Sequence, residues 1–200
     1  MSLRYGTSRY FYESKHFLLV ILVIILIIRK HKKIDICKCL SLLWSCYFIL
    51  HFTVFDYPID GKIASYMFEN YSSVPELFRH FNFIPFHTIG ECIDSGLQTF
   101  IRQVFGNIIL FVPLGITVSW IFEQKSFRYR MYFIVTISVL IEITQLFLDL
   151  CSGMVVKSVD VDDILLNSLG GLMGVCFFGF LIWCYNYVRS KSALRQVKKQ

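Results

Sequence analysis

The sequence predicts an all-α, polytopic transmembrane helical bundle, and three observations carry that prediction. Apolar residues make up 56% of the chain and aromatic residues 17%, with a mean hydropathy of +0.58. That is the composition of helices packed against each other and against lipid, not of a soluble domain with one core. The apolar residues are gathered into long runs separated by polar connections. The Lys and Arg behind the net charge of +6 fall in short clusters beside those runs, as membrane-orientation signals do. Nucleic acid is therefore excluded as a partner, the lipid bilayer is the expected one, and the expected location is multi-pass in the cell membrane.

The first apolar run, residues 17–28, is followed at once by Arg29, Lys30, His31, Lys32 and Lys33, with no small-residue cleavage pattern. It reads as a retained anchor with a cytoplasmic stop, its helix starting near Arg9 or Tyr10 and Lys15 snorkelling to the interface. A second span fits residues 36–55, with Lys38 and His51 near its two ends. The connection 56–103 sets six acids against Lys62, Arg79 and Arg102 and is too long for an idle turn. Amphipathic pieces lying on the membrane are expected there. A third span, 104–122, carries Asn107 and Pro113, and the proline predicts a kink facing protein or trapped water. The fourth span is 131–150, and the fifth runs from 164 to about 188.

Basic residues crowd the loops at 29–38 and 123–130 and the tail after 188, and are thinner on the other side. The positive-inside rule then gives about five helices, N-terminus out and C-terminus in. The cysteine total, seven, is odd and frames no disulfide scaffold; Cys37 and Cys39 lack a second pair at zinc-site spacing. Packing is their expected role, with a bond between Cys92 and Cys151 an option on the outer side. No cofactor is expected.

The polar residues of the spans converge in depth. At ~1.5 Å of rise per residue, Glu142 falls ~12 Å and Gln145 ~8 Å below the outer boundary. Asn107 and Asn167 lie within ~5 Å of the same side, and Gly170 and Gly171 at ~9 to 11 Å. An intramembrane carboxylate costs about 3 kcal/mol and turns toward a partner or a wet cavity. Glu142 is thus either a site residue or a structural glutamate bridging helices. For Gln145, Asn107 and Asn167 the rival role is interhelical hydrogen bonding. Asp160, Asp162 and Asp163, with Lys157, cluster at the start of the fifth helix, where one aspartate is expected as a cap. Hard-cation binding by the three aspartates, or acid-base chemistry by Glu142, Asp160 and Asp163, is the alternative. Gly170, Gly171 and Gly174 allow close helix packing.

Three blocks of residues resemble the VanZ-like membrane protein family. They are Asn82-Phe83-Ile84-Pro85-Phe86 with Thr88-Ile89; Gly106-Asn107 through Phe111-Val112-Pro113-Leu114-Gly115; and Glu142 with Gln145 through Asp160, Asp163, Asn167, Gly170 or Gly171 and Gly174. Where that family usually has an arginine before the aspartates, this chain has Lys157, which keeps the charge and loses the bidentate fork. The resemblance implies an integral membrane protein with a link to glycopeptide susceptibility, since the family's founding member is associated with teicoplanin resistance. It divides the chain into a two-helix membrane region with an outer loop at 1–80, a VanZ-like membrane domain at 81–188, and a basic cytoplasmic tail at 189–200.

The expected function is an outer-leaflet polar pocket, bounded by Asn107, Glu142, Gln145, Lys157, Asp160, Asp163 and Asn167, that acts on a cell-envelope precursor or lipid-linked molecule. Pro85, Pro113 and the three glycines shape it. A membrane-embedded enzyme modifying a lipid head group and a transporter are the rival readings. The chain shows no Ser, Cys or His nucleophile arrangement for the first and no internal repeat for the second.

Overall fold

The computed structural model describes residues 33–53, 81–152 and 159–197. Among them every regular element is helical, and the one strand-like pairing is a bridge between Asn82 and Asp160. The helices are α1 (Lys33–Thr53), α2 (His87–Asp94), α3 (Leu97–Ile121), α4 (Phe127–Ser152) and α5 (Val161–Val197). All but α2 are long and apolar enough to cross a membrane. The span expected at 17–28 and the first part of the long connection lie outside the described residues, while α2 is one short helix within that connection.

Interhelical contacts fix the relative directions. Asn107 meets Asp163, and the Ile108 and Val112 carbonyls abut Gly170 and Gly174, so α3 and α5 run parallel. Ser138 pairs with Asn167 and Glu142 with Asp160, so α4 is antiparallel to α5. The Ser41 and Thr117 hydroxyls lie 2.7 Å apart at one end and Gln145 reaches the Thr53 carbonyl at the other. The end of α1, the start of α3, the end of α4 and the start of α5 therefore gather at one end of the bundle.

α3 is the central helix: 50% of its span is buried, against 17%, 28% and 33% for α1, α4 and α5. Its Phe111, Leu114 and Val118 join Ile49, Ile134, Ile141 and Val175 in the apolar core. A Cβ on Gly170 would overlap the Ile108 carbonyl, and one on Gly115 the Gly171 carbonyl. Small residues thus let α3 and α5 touch backbone to backbone, as lipid-embedded helices do when dispersion replaces the hydrophobic effect as the packing force. Pro113 lies inside α3, partly buried, beside Val112, whose carbonyl abuts Gly174.

α4 buries a polar stripe beside its core residues Ile134 and Ile141. Ser138, Glu142, Gln145 and Asp149 are buried at steps of four, three and four, which is one helical face. Tyr132, Leu140, Ile143 and Phe147 are exposed on the others. Lipid solvates large apolar side chains as well as a core does, whereas polar groups must find partners within the protein.

Two boundaries differ clearly from expectation. α5 continues as helix to Val197, through basic residues expected to form a separate tail after 188. α3 begins at Leu97, not at residue 104, because its first turns continue through Gln98, Arg102 and Gln103 by turning these polar side chains outward. The extension includes a wide π turn at Ile101–Phe105.

Candidate functional site: a buried carboxylate network

The network starts from Asn82, just ahead of α2. Its backbone N–H donates to the Val159 carbonyl at 2.9 Å and its carbonyl accepts from the Val161 N–H at 3.0 Å, which fastens this segment to the start of α5. Its side chain is fully engaged. Nδ2 donates to Asp160 Oδ1 at 2.8 Å and to Thr88 Oγ1 at 3.0 Å, while Oδ1 accepts the Ile84 N–H at 3.0 Å, the self-turning habit of Asn in loops.

Asp160 is the cap of α5: its Oδ1 accepts the Asp162 N–H at 2.8 Å, two residues into the dipole-positive end. Its own N–H donates to Glu142 Oε2 at 3.2 Å. The Glu142 carboxylate, 3% exposed, is thereby drawn from α4 onto the α5 terminus.

Asp162 is fully buried and caps a different helix. Its two oxygens accept the Phe86 N–H at 2.5 Å and the Ile89 N–H at 3.1 Å, both at the start of α2. Phe86 follows Pro85 in a turn closed by the His87 N–H on the Ile84 carbonyl, and has φ 68° and ψ 5°. That is the third position of a type II turn, normally glycine, and a phenylalanine there costs roughly 1–2 kcal/mol. The charge-assisted bond from Asp162 holds the strained residue in place.

Asp163 accepts a short hydrogen bond from Asn107 Nδ2, linking α5 to α3. One turn deeper, Asn167 Nδ2 donates to Ser138 Oγ at 3.1 Å, and its Oδ1 has no hydrogen-bond partner among the described residues although the residue is 2% exposed. Gln145 Nε2 donates to the Thr53 carbonyl at 3.0 Å, tying in α1.

Of the residues singled out in the sequence, Asn107, Glu142, Asp160, Asp163 and Asn167 thus come together, with Gln145 at the α1 side. Lys157 lies outside the described residues. Asp162, expected as a cap of the fifth helix or a cation ligand, instead clamps the start of α2. Among the described residues no group of three or more His, Cys, Asp or Glu is arranged to hold a metal ion. Cys92 is a free thiol, not bonded to Cys151. It is buried, and that burial, followed by the charges of Asp160, Asp163, Glu91 and Asp162, pushes its pKa up from the ordinary thiol value.

Sequence reasoning gave no role to Asn82, Thr88, Ser138 or Asp149, the last fully buried. The four-three-four spacing from Ser138 to Asp149 was a readable signal; the pairing of Asn82 with a segment 78 residues away was not. Chemically, the cluster is a set of acceptors from three helices, organised by N–H donors, and suited to donor-rich or cationic ligands.

The chain matches the VanZ/LLP1 family over residues 40–183, so the match takes in most of α1 as well as the blocks from Asn82 onward. It is also 25% identical over 101 residues to Protein VanZ of Enterococcus faecium, a stretch equal to 50% of this chain and 53% of that protein. The chain thus spans about half the length of this curated relative. No solved structure matches it.

Proposed function

This chain belongs to the VanZ/LLP1 family of membrane proteins, and from that premise we propose that its carboxylate network recognises a cell-envelope or lipid-linked molecule at the outer face of the cell membrane. Recognition there lowers the susceptibility of the cell to teicoplanin-type glycopeptides. The observation that carries this reading is the convergence of Glu142, Asp160, Asp163, Asn107 and Asn167, from three helices, on one end of the bundle. Several acids held together in apolar surroundings are costly, and a fold that needed only caps would not gather so many. The acceptor left for a ligand is Asn167 Oδ1, buried and without a partner among the described residues, beside the Ser138 hydroxyl. A ligand presenting amide, hydroxyl or ammonium donors satisfies it.

The orientation follows the positive-inside rule, with the acidic end outward. A susceptibility panel of envelope-active antibiotics on cells with and without the protein tests the reading. A several-fold rise in sensitivity confined to lipid-tailed glycopeptides supports it; an unchanged panel removes it. Lipid head-group profiles of the same cells separate recognition, which leaves them unchanged, from turnover.

A further inference from the structure

At the head of α3 an open hollow of about 490 Å³ is lined, among the described residues, by Leu97, Gln98, Ile101 and Arg102. We propose that it binds a phospholipid of the surrounding bilayer, with the phosphate on Arg102 and one acyl chain along α3.

Arg102 makes no ion pair or hydrogen bond with a described residue. Its guanidinium therefore has no protein partner among the described residues, at the head of a helix whose large exposed side chains beyond Gln103, Phe105 and Ile109, are apolar. A guanidinium fork matches a phosphodiester in shape and charge. Leu97 and Ile101 flank Arg102 on the outer side and Phe105 and Ile109 follow on the inner side, all exposed, at 74%, 50%, 47% and 61%. They repeat every four residues, and on a regular α-helix that repeat would drift around the axis, because a turn takes only about 3.6 residues. The wider π turn at Ile101–Phe105 offsets the drift. The result is an apolar stripe running past Arg102 into the lipid-facing side of α3, with the polar Gln98 beside the hollow. A phosphate above an acyl chain is the ligand with this sequence of chemistry. The site is independent of what the carboxylate network binds.

The test uses the full-length protein in nanodiscs containing phosphatidylglycerol, followed by native mass spectrometry of the lipid that stays bound. Wild type is expected to retain phosphatidylglycerol and not diacylglycerol. Arg102→Gln is expected to lower retention at least tenfold, and Ile101→Asn to lower it as well. Arg130→Gln, at the opposite end of the bundle, should leave it unchanged; circular dichroism checks that each variant is folded. Equal retention by Arg102→Gln overturns the proposal. So does equal loss in Arg130→Gln, which would mean general electrostatic attraction, or displacement of the lipid by inorganic phosphate alone, which would mean that the chain contributes nothing.

Discussion

Asp162 caps a helix that is not its own, and the residue-scale consequences follow from its two bonds. Asparagine keeps its shape but turns one acceptor into a donor facing a backbone N–H. Asp162→Asn should destabilise the fold by ~1–3 kcal/mol, read as a lowered midpoint in thermal unfolding in detergent. The effect should exceed that of Glu91→Gln, whose pair with His87 spans 3.8 Å on the surface. Cys92 gives a second residue-scale prediction. Its folded pKa is raised, so any stability it contributes is complete below the ordinary thiol pKa and declines as pH rises through it. At pH 8 the native thiol is neutral and buried, and its alkylation should run at least ~10-fold slower than in the denatured chain. At this scale Glu142 and Gln145 were legible because polar groups inside an apolar run are conspicuous, and the aspartates because three of them stand at the start of one. Asn82 was legible only as part of a motif, because its role depends on a backbone pairing across 78 residues that no local pattern announces.

At the scale of elements, the α3–α5 crossing is the most constrained contact. Gly170→Ala would drive a methyl group into the Ile108 carbonyl, and overpacking of this kind costs about 1–3 kcal/mol. Gly179 lies on the same helix with nothing within 4 Å of its missing Cβ. Gly179→Ala should be neutral or stabilising by up to about 1 kcal/mol, so the pair measured together separates close packing from helix propensity. The glycine spacing announced a close approach by α5 in the sequence, but not that α3 is its partner. The true start of α3 was hidden, since Arg102 and Gln103 look like loop residues unless the helix is known to extend beyond the apolar layer.

The whole molecule has two chemically different ends. One holds the carboxylates. At the other, Lys38 lies 6.0 Å from the Trp120 ring, Lys125 5.7 Å from Tyr129 and Lys191 4.8 Å from Tyr187, an aromatic and basic belt of the kind found at membrane interfaces. The orientation read from charge places this belt inside. In a background lacking the native cysteines, Ser95→Cys should react with an impermeant maleimide in intact cells, and Ser126→Cys only after permeabilisation; the reverse pattern would turn the bundle over. The all-helical fold was legible from hydropathy because lipid solvates the apolar surface and leaves the polar residues to mark the inside.

The central claim is that the carboxylate network works on a ligand and does more than tie helices together. Glu142→Gln tests it, because glutamine keeps the length and an acceptor oxygen for the Asp160 N–H while it removes the charge and turns the other oxygen into an NH2 donor. Teicoplanin susceptibility should be measured for wild type, null and Glu142→Gln at equal protein abundance in the membrane. The account predicts that Glu142→Gln matches the null, several-fold more sensitive than wild type. A Glu142→Gln protein as protective as wild type would contradict it.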